Sequence, residues 1–248
     1  MLTTSELKLL TSLKHKKYRQ SSGRSIIEHA KVILDPALCH YWEKVYLTGP
    51  FVAAHPAIST LKNSQVITDK EMAKISQQTT PPGILATFKI SPAPTFAFNS
   101  DLVLWLDGLR DPGNLGTIIR TAEWFGVKDI FLSPDCAETA NPKTVAATMG
   151  AFWHANLYPD SDLLALAPDF KAQGYEIIAT DLRTPSAATP AATKNVLIIG
   201  SEAEGVNPNL IHLADHTLKI PQFGQSESLN AAVAAGITLY FLKIKNVA

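Results

Sequence analysis

Side chains that could do chemistry concentrate in three segments in the second half of the chain, residues 107–122, 200–206 and 220–230. The first two segments directly follow apolar runs, 102–106 and 196–199, and the third adjoins the strand candidate 217–220. No Gly-x-Gly-x-x-Gly string and no Gly-Lys-Ser/Thr string occurs, which argues against a dinucleotide fingerprint and a P-loop. The polar and charged side chains of the three segments include those of Asn114, Arg120, Glu202, Ser228 and Asn230.

The elements that must position these segments are strands and helices in alternation. This order predicts an α/β fold, a parallel sheet with helices on both faces, in which ligands bind beyond the carboxyl ends of the strands. The predicted strands are 102–106, 130–132, 176–180, 196–199 and 217–220. The predicted helices are 115–125, 141–149, 162–173, 209–213 and 229–242.

Each segment taken alone also has a structural interpretation. Asn114 is able to cap the helix that follows it, and Arg120 is either solvated or directed at a site. Gly200 and Gly205 permit close approach of a ligand, or simply tight packing of the loop. Ser226 or Ser228 can cap the last helix, whose alanines suit a core crossing or a dimer contact.

Charge is unevenly distributed along the chain, although 22 basic and 22 acidic residues give a net charge of zero. Residues 1–100 hold 12 Lys and Arg against 6 Asp and Glu, and residues 101–248 hold 10 against 16. The asymmetry predicts two modules, so the neutral total does not exclude a nucleic-acid partner. We predict a small α/β domain over 1–92 that ends in an edge strand, a linker over 93–100 and a second domain over 101–248.

The same composition disfavours several other classes of protein. The longest apolar runs are shorter than the roughly 20 residues that cross a bilayer, and the first residues lack a signal-peptide pattern. We therefore expect a cytoplasmic protein without a membrane partner. Cys39 and Cys136 lie far apart and outside any ligand spacing, so neither a disulfide framework nor a metal site is expected.

Together, the order and spacing of the three segments resemble the SpoU–TrmH family of RNA ribose 2′-O-methyltransferases, within the SPOUT superfamily. The matching strings are Asn114-Leu-Gly-Thr-Ile-Ile-Arg-Thr-Ala, Gly200-Ser-Glu-Ala-Glu-Gly and Ile220-Pro-Gln-Phe-Gly-Gln-Ser-Glu-Ser-Leu-Asn. The first module resembles the L30e-like substrate-binding domain through Ser12-Leu-Lys-His-Lys-Lys-Tyr-Arg and Thr80-Pro-Pro-Gly-Ile.

The resemblance implies a deep trefoil knot in the C-terminal part of the sheet and a homodimer that forms through the knot helices. It also implies that S-adenosyl-L-methionine binds in the knot, mainly through backbone groups. An adenine needs an apolar slot with main-chain donors and acceptors, which these loops can supply. Carried onto this sequence, the cofactor-binding residues are Thr180, Gly200, Gly205, Ile220 and Leu229.

For the reaction, the resemblance implies methylation of a ribose 2′-hydroxyl, which we expect in ribosomal RNA, and places Arg120 beside that hydroxyl. Because a guanidinium stays protonated in proteins, we assign Arg120 to stabilising the alkoxide and gripping the adjacent phosphate, rather than to acting as the base. Asn114 and Ser228 would orient substrate or ligand. Asn230 would order the third segment, and Glu202 would fix Arg120 or its own loop.

A basic block in the first module is expected to contact RNA phosphates, with a tyrosine available for base stacking, although a solvated helix end would have the same composition. Its residues are Lys14, Lys16, Lys17, Tyr18, Arg19 and Arg24. Three alternatives stay open: a transfer-RNA methyltransferase, a non-catalytic RNA-binding or ribosome-assembly protein on the same fold, and a nucleotide-dependent oxidoreductase. The missing glycine fingerprint weakens the last.

Overall fold

The computed structural model describes residues 1–56, 58, 61, 63–183 and 192–244. The chain divides into two compact units, Met1–Pro92 with Ala140–Trp153, and Ala93–Thr139 with His154–Ala248. The sequence assigned residues 140–153 to the second domain, whereas in the structure they belong to the first unit. Residues 184–191 and 245–248 of that predicted domain lie outside the described residues.

The first unit is built on a four-stranded sheet of order β1-β4-β2-β3. β4 runs antiparallel to both β1 and β2, and β2 is parallel to β3. The strands are β1 Arg24–Ile27, β2 Trp42–Thr48, β3 Ser64–Ile67 and β4 Ile84–Lys89. The helices before and between them are α1 Thr4–Ser12, α2 Lys16–Ser22, α3 Ala30–Ile33, α4 Gly49–Ala54 and α5 Asp69–Ile75.

The position of β4 corrects one prediction. The sequence predicts that the first domain ends in an edge strand, over residues 84–90, yet β4 lies between β1 and β2. Its first five residues are buried, as an inner strand requires. The prolines Pro81 and Pro82 stand before the strand, so they remove no hydrogen bond from it.

Residues 140–153 pack on the core of the first unit. Helix α7, Pro142–Ala147, contributes Val145 to a buried cluster that includes Ile27, Trp42 and Phe88. The Ser25 hydroxyl also donates a hydrogen bond to the carbonyl of Ala140 over 2.6 Å. Burial of Val145 explains why this segment clusters with the first unit despite its place in the sequence.

The second unit is built on a six-stranded parallel sheet of order β10-β8-β9-β5-β6-β7, which confirms the predicted α/β class. The strands are β5 Leu102–Leu106, β6 Asp129–Leu132, β7 Asn156–Tyr158, β8 Tyr175–Thr180, β9 Lys194–Ile199 and β10 His216–Leu218. The helices are α6 Pro112–Trp124, α8 Leu163–Ala172, α9 Pro208–Leu213 and α10 Ala231–Ile244. Sequence reasoning missed β7 because three residues are too few to show a period.

Residues 93–100, predicted as a linker, are anchored to the second unit. The Phe96 ring stacks on Phe170 with centroids 5.2 Å apart, and Phe98 packs on the same ring. The ammonium of Lys194 donates to the Phe98 carbonyl over 3.0 Å. Phe96 and Phe98 therefore pack against the core of this unit, while most of residues 93–100 are exposed.

In the described part of the chain, no helix has the length and apolar character that crossing a membrane would take.

Candidate active site

A cavity of about 550 Å³ lies beyond the carboxyl ends of neighbouring strands β10, β8 and β9 in the second unit. Its walls are the loop after β8, residues 199–206 and residues 218–229. This is the edge at which open parallel sheets bind ligands, and the volume lies within the range of small-molecule sites.

Most of the predicted residues of the second and third segments line this cavity. They are Gly200, Glu202, Gly205, Ile220, Ser228 and Leu229, together with Thr180 at the end of β8. Asn114, Arg120 and Asn230 are not among the lining residues. Sequence reasoning missed Asp181, Leu182 and Arg183, which line the cavity because β8 lies beside both β9 and β10.

The loop after β9 closes on itself. Ser201 and Gly205 exchange backbone hydrogen bonds of 3.2 and 3.0 Å. A Cβ added to Gly200 would lie 2.1 Å from the carbonyl carbon of Gly205, and Gly205 itself has φ +72°. Of the two interpretations offered for these glycines, tight packing of the loop itself is therefore sufficient to require them.

Asn114 does not cap helix α6. The N-cap is Asp111, whose carboxylate accepts a hydrogen bond from the Asn114 backbone N–H over 2.8 Å. The Asn114 side chain is thereby released to other partners. Its Nδ2 donates to the Glu202 carboxylate, and its Oδ1 accepts from Asn230 Nδ2 over 3.0 Å. One side chain from each predicted segment thus belongs to a single chain of hydrogen bonds.

Asn230, rather than a serine, caps helix α10. Its Oδ1 accepts hydrogen bonds from the backbone N–H groups of Ala232, over 2.9 Å, and Val233, over 3.4 Å. The expectation that Ser226 or Ser228 plays this part is wrong, because the helix begins at Ala231 and Asn230 directly precedes it. Oδ1 of Asn230 holds the helix while its Nδ2 bonds Asn114.

Arg120 lies in the second half of helix α6 with its side chain exposed. Among the described residues it has no hydrogen-bonding or ion-pair partner. Glu202, which was expected to fix Arg120 or its own loop, bonds Asn114 instead. The guanidinium is therefore available to an anionic ligand in this structure.

The side chain of Asp107, the residue directly after β5, is hydrogen-bonded to the N-cap residue of α9. Its Oδ2 accepts a hydrogen bond from the Asn207 backbone N–H over 2.7 Å. Burial raises the pKa of the Asp107 carboxyl above its usual value, and the charges of Asp135 and Glu204 act in the same direction, while the Asn207 N–H opposes them. Sequence reasoning missed this link.

The charged side chains that line the cavity are mostly acidic. Four carboxylates, from Asp181, Glu202, Glu204 and Glu227, face two cations, Arg183 and Lys219. Arg183 is paired with Asp181 over 3.1 Å. No group of three His, Cys, Asp or Glu that could hold a metal ion occurs within residues 1–56, 58, 61, 63–183 and 192–244.

In the first unit, the basic block is only partly available to a ligand. Lys16, Lys17 and Tyr18 are exposed, and Lys14 is half-buried. Arg19 is corrected, because its side chain is 3% exposed and its Nη1 donates to the carbonyl of Leu13 over 2.8 Å. That bond holds the end of α1 and turns the guanidinium away from any phosphate.

Arg24 is half-buried and forms a bidentate pair with Glu43, with N···O distances of 2.7 and 3.1 Å. The carboxylate offsets its charge, so Arg24 is a weaker candidate for RNA contact than the lysines of α2.

Comparison with known proteins gives consistent matches. The model of the SpoU rRNA Methylase family matches residues 101–240. An uncharacterised tRNA/rRNA methyltransferase from Synechocystis sp. is 32% identical over 94% of this chain and 89% of that protein. RlmP of Bacillus subtilis, a 23S rRNA guanosine 2′-O-methyltransferase, is 37% identical over 57% of each chain.

Solved structures match over the whole chain. A TrmH-family protein from Porphyromonas gingivalis has a TM-score of 0.83 at 30% identity, covering 99% of each chain. An rRNA methyltransferase from Sinorhizobium meliloti, solved with AdoMet bound, has a TM-score of 0.79 at 28% identity, covering 100% of this chain and 97% of that one.

Proposed function

The chain belongs to the SpoU rRNA Methylase family of RNA methyltransferases, and on that basis we propose that it transfers a methyl group from S-adenosyl-L-methionine to a ribose 2′-hydroxyl in ribosomal RNA. The observation that carries this proposal is the hydrogen-bond chain Glu202–Asn114–Asn230 beside the cavity. The 2′-hydroxyl target is supported by the match to RlmP, and ribosomal RNA by the full-length match to the Sinorhizobium meliloti protein.

The cavity fits the proposed cofactor. When bound, S-adenosyl-L-methionine supplies an electrophilic methyl group on a sulfonium. Val206, Ile220 and Leu229 offer apolar surface for its adenine, with Gly200 and Gly205 in the adjoining loop and Thr180 on the neighbouring strand. The excess of carboxylates over cations in the lining suits a ligand that carries positive charge.

The catalytic residues act by positioning and by electrostatic stabilisation. We assign to Arg120 the stabilisation of the developing alkoxide and a contact with the adjacent phosphate, with the proton passing to water or phosphate. Asn114 and Ser228 orient the substrate or the cofactor. In this proposal Glu202 and Asn230 hold Asn114 in place, which refines the role expected for Glu202 from the sequence.

RNA delivery is assigned to the first unit. Lys14, Lys16 and Lys17 would contact phosphates, and Tyr18, 48% exposed, would stack on a base. Arg24 would contribute only if it leaves Glu43. The relation of this unit to L30e-like domains is part of the proposal.

A homodimer would bury an apolar stripe on α10. Val233, Ile237, Tyr240 and Ile244 recur at intervals of four and three residues, and each is 42–55% exposed. Trp124, 82% exposed, lies on α6, the helix that packs against α10. A trefoil knot within the second unit and a cytoplasmic location complete the proposal.

The test is methyl transfer itself. Purified protein is incubated with tritiated S-adenosyl-L-methionine and total RNA from cells that lack the protein, and the ribosomal and transfer RNA fractions are counted separately. We expect label in ribosomal RNA, at a 2′-O-methylated nucleotide that resists alkaline hydrolysis. Label in transfer RNA would favour that alternative, and no label in any fraction would favour a non-catalytic RNA-binding protein.

A further inference from the structure

We propose that Phe223 is the platform on which a base of the RNA substrate stacks as its ribose enters the cavity. The inference rests on the proposed methyl transfer and adds a positioning residue that determines how the substrate is held. Phe223 lines the cavity, yet its side chain is 98% exposed. It is more exposed than any other large hydrophobic residue in the described part of the chain.

The backbone on either side of Phe223 is held in place. The side-chain amide of Gln222 donates hydrogen bonds to the carbonyl of Gly224 over 3.1 Å and to that of Ser226 over 2.9 Å. These two bonds span Phe223 and fix the turn that presents it. Within the described residues the ring has no aromatic partner, so it contributes little to the core of this unit.

Charge decides which part of an RNA strand this surface can accept. Residues 221–230 are all exposed and contain Glu227 but no lysine or arginine. Glu202 and Glu204 line the same cavity. The lining has four carboxylates against two cations, and one of these, Arg183, is paired with Asp181, so phosphates are disfavoured here and a neutral contact suits a strand better. The face of a nucleobase on an aromatic ring is such a contact, and it is common where single-stranded RNA is bound.

This placement separates two tasks. Phosphates would be gripped elsewhere, by Arg120 and by the lysines of the first unit, while Phe223 would hold a base at the mouth of the cavity. Two other ligands would use the same ring differently: the adenine of the cofactor, if residues 221–230 fold over it, or a second copy of the chain. Each predicts a different effect of removing the ring.

The experiment compares the full-length wild-type protein with Phe223→Ala, Phe223→Leu and Phe223→Trp. RNA from cells lacking the protein is the probe, in tritium-transfer assays and in filter binding without methyl transfer. We expect Phe223→Ala to raise KM and the dissociation constant for RNA by about 5- to 100-fold. Phe223→Leu, which keeps apolar area but has no π face, should resemble Phe223→Ala, and Phe223→Trp should resemble the wild type.

Binding of S-adenosyl-L-methionine, measured by calorimetry, and molar mass, measured by light scattering, should be unchanged in all three variants. Unchanged RNA affinity in Phe223→Ala, or recovery by leucine, would overturn the proposal. Loss of cofactor affinity would identify the ring as a cover for the cofactor, and a lower molar mass would identify a dimer contact. If the wild type transfers no methyl, the proposed function fails, while the filter-binding comparison still decides the role of Phe223.

Discussion

Asn230 donates a hydrogen bond from its side-chain amide to the side-chain oxygen of Asn114 over 3.0 Å, although 116 positions separate the two residues. The bond ties the residue before α10 to the first half of α6. Asn114 in turn donates to Glu202 on the loop after β9. Since each amide serves two partners, removal of one side chain leaves the others unsatisfied, and the three loops should respond as one unit.

Glu202 and Glu204 provide a matched pair of tests. Both line the cavity and both are exposed, but only Glu202 bonds Asn114. We expect Glu202→Ala to lower kcat for methyl transfer by at least about tenfold, because Asn114 loses its acceptor, and Glu204→Ala to lower it by less than twofold. Equal losses in steady-state assays of the two variants would indicate that the hydrogen bond is not the cause.

Arg120 should matter for the chemical step and not for cofactor binding. Replacing it with alanine removes the charge assigned to the alkoxide, and we expect methyl transfer to fall by about 10²- to 10³-fold. Affinity for S-adenosyl-L-methionine by calorimetry should stay within twofold. Lys128→Ala, another exposed cation of the second unit, serves as control. Near wild-type transfer by the Arg120 variant would refute the assignment.

Gly200 should be irreplaceable for stability, in contrast to Gly224. An alanine Cβ at Gly200 would meet backbone atoms of Gly205 at 2.1–2.3 Å, whereas a Cβ at Gly224 would meet nothing within 4 Å. We expect Gly200→Ala to lower the free energy of unfolding by about 1–3 kcal/mol in denaturant titrations. Gly224→Ala should change it by less than about 0.5 kcal/mol. A neutral Gly200→Ala would mean that the loop opens without cost.

The exposed lysines of α2 should account for part of the salt dependence of RNA binding. The double change Lys16→Ala and Lys17→Ala should weaken binding and reduce the slope of log affinity against log salt by about 1.4–1.8. The control is the double change Lys70→Ala and Lys74→Ala, which removes the same number of positive charges from helix α5 of the first unit. Similar slopes for both double variants would show that α2 makes no specific contact with RNA.

The apolar stripe on α10 should govern assembly. We expect Tyr240→Glu or Ile237→Glu to convert a dimer into a monomer in sedimentation or light-scattering measurements, because each places a charge on the exposed face of the helix. Leu164→Glu, which alters an exposed leucine on α8, should leave the molar mass unchanged. A wild-type monomer at micromolar concentration would contradict the proposed homodimer.

Local patterns in the chain were sufficient for much of the second unit. Buried five-residue runs such as 102–106 predict strands, and alternation with helices predicts a parallel sheet, since both are short-range properties of sequence. Capping chemistry is local in the same way: at the start of α5 the Thr68 side chain accepts from the Glu71 backbone N–H, and the Glu71 side chain accepts from that of Thr68. The three segments whose side chains could do chemistry, 107–122, 200–206 and 220–230, were also identified from local sequence patterns.

Contacts between distant residues were decided only by the folded chain. The order β10-β8-β9 brings the loop after β8 into the cavity, and strand order does not follow from periodicity. Asn114 was able to cap its helix, but Asp111 took that role and left the amide to Glu202 and Asn230. Arg19 is of a residue type that contacts phosphates, but its buried guanidinium donates to the carbonyl of Leu13 instead. In each case several partners were chemically suitable, and the three-dimensional neighbours selected one.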